Sequence, residues 1–225
     1  MKLLAIDTSG ETCSAALLCG GDLRQLLEFV PRRHGELILD MMERLLADAG
    51  LGLGALDALA FGRGPGSFTG VRIATAVVQG AAFGAGLGVV GVSTLAALAQ
   101  GHFRASGHRR VLTALDARMG EVYWGAYEVS GEGLAEPLGQ ELVVPPQAVP
   151  APAGGGWHGV GSGFAAYAED LRLALGAALA AVVPERVCEA RDIAVLAEDA
   201  WRRGLAVAPE LALPVYLRDR VTARP

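Results

Sequence analysis

Lysine is almost absent from this chain. Of its nineteen basic residues only Lys2 is lysine and the rest are arginine, a bias that reads as genome composition rather than function. Cysteine is scarce as well. Cys13, Cys19 and Cys188 are odd in number, far apart and without a CxxC pair, which excludes a disulfide framework and a thiolate zinc site. Among the histidines His34, His102, His108 and His158, no two stand three or four residues apart, so a helical metal pair is missing. No GxSxG elbow occurs, the nearest run being Gly161-Ser162-Gly163, and no Gly-Lys-Ser/Thr follows a glycine-rich loop. The sequence offers no acid–base pair.

Long apolar runs are also few. The N-terminus carries one Lys and a four-residue apolar run ended by Asp7, too short for a signal peptide. No Asp, Glu, Lys or Arg falls between Arg72 and Arg104, but Gln79, Gln100 and glycines at 80, 84, 86, 88 and 91 cut that stretch into pieces. It reads as a buried helix followed by a buried strand, not a membrane span, and points to a cytoplasmic protein. A formal charge of −5 gives no field for nucleic acid, so any role with RNA runs through a basic partner. Arg109, Arg110, Arg202, Arg203, Arg218 and Arg220 are the arginines available for RNA, and solvated surface is the simpler reading of them.

What is abundant is small and apolar. The 225 residues include 31 Gly and 40 Ala, nearly a third of the chain, and a 52% hydrophobic share excludes a disordered chain. A chain of this size buries on the order of 70% of its unfolded surface, as one large domain or two small lobes.

The first thirty residues read as three strands. Turns fall at Ser9-Gly10-Glu11 and Gly20-Gly21-Asp22. A helix over 34–49, a strand over 55–61, a helix over 69–85 and a strand over 87–92 follow, and the order βββαβαβ predicts an α/β fold with mixed sheets. Residues 111–129 begin the pattern again: Leu-Ala-Ile-Asp7 with Gly10-Glu11 aligns with Thr-Ala-Leu-Asp116 with Gly120-Glu121. Such a repeat is what two duplicated lobes leave behind. The expected lobes are 1–104 and 105–225, with a last helix over 191–203 packing back on the first lobe.

Two kinds of constellation stand out. Gly62-Arg-Gly64-Pro65-Gly66-Ser67-Phe-Thr69-Gly70-Val-Arg72 suits a type II turn at Pro65-Gly66, with Ser67 or Thr69 capping the next helix. It is either a tight strand-to-helix turn or a phosphate-holding helix start, and Gly161-Ser162-Gly163 repeats the plan. Asp7 and Asp116 end strands beside turns. They either cap those turns or line a nucleotide cleft and hold Mg²⁺ through water. The candidate cofactor-binding residues are therefore Asp7, Gly66, Ser67, Asp116, Gly161 and Gly163.

The second kind lies on the helices. Leu37, Ile38, Met41, Met42 and Leu45 belong to an apolar arc of about 200° on the first helix, twice what packing on one core requires. On the second, Ala76, Gly80 and Gly84 form a small-residue ridge beside Phe83 that lets another helix approach closely. Either both helices are deeply buried within one lobe, or these residues form a partner surface that pairs the isolated chain as a homodimer.

The ordered set Leu-Leu-Ala-Ile-Asp7-Thr-Ser, His34-Gly-Glu36-Leu, Gly64-Pro-Gly-Ser-Phe-Thr-Gly-Val-Arg-Ile73, Leu115-Asp-Ala-Arg118, Gly120-Glu-Val-Tyr123 and Pro214-Val-Tyr-Leu-Arg218 resembles the bacterial TsaB family over nearly the whole chain. That resemblance implies a duplicated actin-like, sugar-kinase-like, ribonuclease H-like fold. It also implies a non-catalytic, cofactor-free role. The chain would bind a TsaD-type catalytic subunit together with a TsaE-type ATPase, to form threonylcarbamoyladenosine on tRNAs reading codons that start with A. tRNA would be met only through that complex. In TsaD the strand after the second helix leads into an HxxxH metal motif, and Thr94 and Leu98 stand at the corresponding positions. The other readings are an ATP-dependent kinase of the same fold, using Asp7, the Gly66 turn and Asp116, and a metallopeptidase.

Overall fold

The computed structural model describes residues 1–30 and 33–218, so Arg220 lies outside the described residues. Strand β1 (Lys2–Asp7) alternates, sending Leu3 and Ala5 to one face and Leu4 and Ile6 to the other. It pairs antiparallel with β2 (Thr12–Cys19), and β2 pairs with β3 (Asp22–Phe29) through a two-residue turn. Gly20 and Gly21 make that turn with φ of 59° and 92°, which glycine adopts without penalty. Helix α1 (His34–Asp48), β4 (Ala58–Gly62), α2 (Phe68–Ala85), β5 (Gly88–Val92) and α3 (Thr94–Ser106) complete the first half. Ser67 caps α2, and Gly86 in the left-handed region ends it.

The second half repeats this plan with β6 (Arg110–Asp116), β7 (Val122–Val129), β8 (Ala135–Pro137), β9 (Leu142–Val144), β10 (Trp157–Val160), α4 (Ser162–Ala166), α5 (Ala168–Leu175), β11 (Leu179–Val183) and α6 (Ala190–Arg202). One sheet runs β3-β2-β1-β4-β5 and the other β8-β7-β6-β10-β11, with β9 also on β7. In each, the first strand is central, with an antiparallel neighbour on one side and a parallel one on the other. The same order twice makes this the duplicated, two-lobed actin-like fold.

The last helix of each half packs on the other half's sheet. Helix α3 covers β6, β7 and β8, while α6 covers β1, β2, β4 and β5. The layers are thus α1 and α2, the first sheet, α3 with α6, the second sheet, and α4 with α5. The expected division after residue 104 falls inside α3, so the lobes interleave instead of meeting at a linker. The sequence signals for α3 are local. The Ser93 hydroxyl accepts from the Leu95 and Ala96 N–H groups, and Gly107 ends the helix at φ 76°.

Alanine makes the central layer possible. Ala5, Ala16, Ala58 and Ala60 on the sheet face Ala190, Ala194 and Ala197 on α6, all fully buried. Methyl against methyl brings helix and sheet close, so a larger side chain has nowhere to go. Across the layer, Arg104 of α3 holds Asp192 of α6 through Nε–Oδ1 at 2.8 Å and Nη2–Oδ2 at 2.9 Å, and reaches Glu189 at 2.9 Å. A Cβ on Gly101 would fall 2.7 Å from Asp192 Oδ2, so the glycine leaves room for the carboxylate. None of the described helices is long and apolar enough to cross a membrane.

Ala194→Leu is expected to destabilise the isolated protein by about 1–3 kcal/mol. Ala47→Leu, on the exposed side of α1, should stay within about 0.5 kcal/mol. Urea denaturation of both variants checks this.

Candidate functional site

Three glycines from β4 into α2 are fixed by what they touch. A Cβ on Gly62 would lie 2.2 Å from Asp7 Oδ1, one on Gly66 2.6 Å from the Ser9 carbonyl oxygen, and one on Gly70 1.9 Å from the Thr8 carbonyl oxygen. The β1–β2 turn therefore rests directly on the β4–α2 loop. The Ser67 N–H donates to Ser9 O at 2.7 Å, and the Thr8 hydroxyl donates to Gly70 O at 2.6 Å. The type II turn expected at Pro65-Gly66 is not formed. The left-handed residue is Gly64, at φ 98°, and Gly66 is needed for space, not for its φ. Tertiary hydrogen bonds replace the local turn bond. With the Ser67 N–H given to Ser9 and the Gly70 N–H to Ser67 Oγ at 3.3 Å, two first-turn donors that would serve a phosphate are already used.

Asp7 is buried against this loop and accepts from the Ser9 N–H at 3.3 Å, an Asx-type bond, while Oδ1 has no partner. Burial pushes its carboxyl up to about 7, and hydrogen bonds from Ser9 and Cys188 offset only part of that. The nearby Cys13 thiol is pushed up to about 12, by burial first and then by Asp7. Asp116 makes the matching Asx-type bond with the Arg118 N–H at 2.8 Å, and also holds the Arg118 guanidinium at 2.9 Å and the Tyr167 hydroxyl at 3.3 Å. Its own N–H donates to Ser162 Oγ at 3.1 Å. Gly161 and Gly163 press on the end of β6, where added Cβ atoms would come within 2.6 Å of Ala114 O and 2.8 Å of Ala114 Cβ. The six cofactor candidates thus form two sets, Asp7 with Gly66 and Ser67, and Asp116 with Gly161 and Gly163. In both, the aspartate closes its own turn.

The helix candidates divide as well. Ile38, Met41, Met42 and Leu45 are buried in the first lobe's own core, and Leu37 is half-buried against it. Their expected place on a partner surface is corrected accordingly. The wide arc is filled because α1 packs on β2 on one side and on α2 on the other. On α2 the opposite holds. Ala76, Gly80, Phe83 and Gly84 are exposed, Phe83 by 81%, and nothing approaches within 4 Å of a Cβ placed on Gly80 or Gly84. Beside Phe83 lies an open groove of about 600 Å³ walled by Ala82, Leu87, Val207, Pro209 and Glu210.

A model of the family "TsaD: tRNA N6-adenosine threonylcarbamoyltransferase" matches residues 28–223. The Escherichia coli K12 protein named "tRNA threonylcarbamoyladenosine biosynthesis protein TsaB" is 43% identical over 98% of this chain and 96% of its own length. The Haemophilus influenzae protein of the same name is 38% identical over 99% and 95%. A solved structure, YeaZ from Pseudomonas aeruginosa, superimposes with a TM-score of 0.90 at 46% identity, covering 96% of this chain and 99% of that one. This chain belongs to the TsaB/YeaZ family.

In this TsaB-family chain the two positions expected to correspond to the TsaD histidines are both buried and engaged. The Thr94 hydroxyl donates to the Pro65 carbonyl oxygen, its N–H donates to Gly64 O at 3.1 Å, and Leu98 lies in the core under Gly161. Among the described residues no group of three or more His, Cys, Asp or Glu is placed to hold a metal. Arg110, Arg202, Arg203 and Arg218 pair with Glu128, Glu198, Asp199 and Glu121, and Arg109 donates to the Val129 and Ser130 carbonyls.

Sequence spacing missed a histidine cluster, because its members meet across elements. His102 Nε2 of α3 lies 3.1 Å from His158 Nδ1 of β10, and the His108 ring is 3.7 Å from that of His158. Burial, then His158, Arg186 and His108, lower His102 to about 4.

These two buried groups predict opposite pH slopes. Asp7 is raised on folding, so its contribution is full below about pH 4 and is lost as pH rises towards 7. His102 is lowered, so its contribution is full above about pH 6.5 and is lost as pH falls towards 4. Asp7→Asn should therefore stabilise the protein near neutral pH and leave a curve that rises with pH, whereas His102→Phe should leave one that falls. Urea denaturation in steps from about pH 4.5 to 7.5 measures both.

Proposed function

We propose that this chain is a non-catalytic subunit in the biosynthesis of N6-threonylcarbamoyladenosine on tRNAs reading codons that begin with A. It acts by docking on a TsaD-type catalytic subunit, joined by a TsaE-type ATPase, in the cytoplasm. The observation that carries this reading is the state of Thr94 and Leu98. A hydroxyl already given to a backbone carbonyl and a buried alkyl group supply no ligand to a divalent metal. The β4–α2 loop supports it too, since Ser9 occupies a donor that a kinase of this fold would turn to phosphate. Arg109, Arg110, Arg202, Arg203 and Arg218 are engaged by neighbouring acids or backbone, which supports a tRNA met through the complex.

The docking surface we assign is the exposed ridge of α2, Ala76, Gly80, Phe83 and Gly84, with half-buried Leu37 at its margin. Small residues let a partner helix approach to the short end of the 8–10 Å range, and Phe83 supplies apolar area. In isolation the same ridge pairs two copies of this chain as a homodimer.

Gly80→Leu should leave the fold intact and weaken capture of a TsaD-type partner by about ten- to a hundredfold, the cost of overpacking a close contact. Leu45→Glu should unfold the chain instead, because Leu45 is core. Co-purification with the two partner types, with and without Gly80→Leu, tests the assignment. Unchanged binding would remove the ridge from the interface. Metal- or ATP-dependent turnover by the isolated chain would overturn the non-catalytic reading.

A further inference from the structure

Pro214-Val-Tyr-Leu-Arg218 follows α6 and touches both lobes. On the first lobe, the Val215 N–H donates to Arg63 O at 2.8 Å, and Val215 O sits 3.0 Å from where a Gly64 Cβ would be. The Tyr216 hydroxyl accepts from Arg72 Nε at 2.9 Å, and the Arg72 guanidinium lies 3.6 Å over the Phe68 ring. Two residues on, Arg218 reaches the second lobe, where it donates to the Glu121 carboxylate, to Arg118 O at 3.4 Å and to Met119 Sδ at 3.3 Å. The Arg218–Glu121 pair is mostly shielded, at 17% and 31% side-chain exposure.

The turn that Arg218 holds is strained. Arg118, Met119 and Gly120 have φ of 61°, 57° and 76°, three successive left-handed residues of which two carry side chains. Single non-glycine residues in that region are uncommon, and each is held only when its surroundings over-determine it. The duplicated lobe supplies the comparison. In its Ser9-Gly10-Glu11 turn no residue has a positive φ, and Pro214–Arg218 anchors instead on the neighbouring β4–α2 loop.

We propose that Pro214–Arg218 is an interlobe clasp. Arg218 pins the left-handed β6–β7 turn to the β4–α2 loop, and so fixes the Asp116 turn of one lobe relative to the Asp7 turn of the other. Separation of the two turns requires Arg218 to release Glu121. A molecule that enters between them has to displace this segment first.

Amide hydrogen exchange on the full chain tests the clasp, comparing the wild type with Arg218→Ala and Glu121→Gln. Each substitution should speed exchange by about tenfold at residues 118–121 and also at residues 63–68 on the other lobe. The amides of α6 and the urea midpoint should stay unchanged, and the double variant should go no further than either single one. Faster exchange at 118–121 alone would reduce the pair to a local contact and overturn the clasp, as would no change at either turn. If Arg218→Ala melts the whole chain, Glu121→Gln, which keeps the side-chain volume, decides on the same two segments.

Discussion

The exchange of α3 and α6 between the two sheets is the constraint on which the rest of the molecule depends. Each sheet is covered on its outer face by helices of its own half and on its inner face by the last helix of the other half. The alanine-lined face of the first sheet is complete only with α6 on it, and Arg104 on Asp192 locks the exchanged pair together. Asp192 is 1% exposed, so removing Arg104 would strand a buried carboxylate, a loss in the range of about 3–5 kcal/mol. The turns that carry Asp7 and Asp116 stand on this frame.

Duplication makes the two lobes comparable, and their differences inform function. Both keep an aspartate that closes its own turn, and glycines that let the next helix start press on the end of the first strand or the turn after it. In a nucleotide-binding member of the fold these parts would face a phosphate. Here one donor at the start of α2 goes to the β1–β2 turn and another to the Ser67 cap, and burial pushes the Asp7 carboxyl up to about 7. Packing thus engages two of the N–H groups at this helix start. The outer side of α2, with Phe83 on it, is exposed.

Much of this was legible in the sequence. The element order up to β5, the repeat at Asp116 and the Ser67 cap follow from period, turn chemistry and capping, which are local. The misreadings are tertiary. An apolar arc of about 200° on α1 looked too wide for one core, but a helix held between a sheet and a second helix buries such an arc within its own lobe. The small residues on the ridge of α2 are plain in the sequence, but no pattern of spacing could show that the ridge stays exposed on the chain. The histidine cluster, the Arg104–Asp192 pair and the contacts of Arg218 join residues 50 to 100 positions apart, beyond any periodicity.

The helix exchange also orders events during synthesis. The strands of the first sheet are complete once residue 92 has been made, yet the helix that covers their alanine face ends at Arg202. For more than a hundred residues of elongation that face, which also carries Leu3, Leu18, Val90 and Val92, has no native cover. The first lobe therefore cannot mature on its own while the ribosome works, as N-terminal domains commonly do. Its folding waits for nearly the whole chain, and a product that stops short of α6 leaves the first sheet without its inner cover.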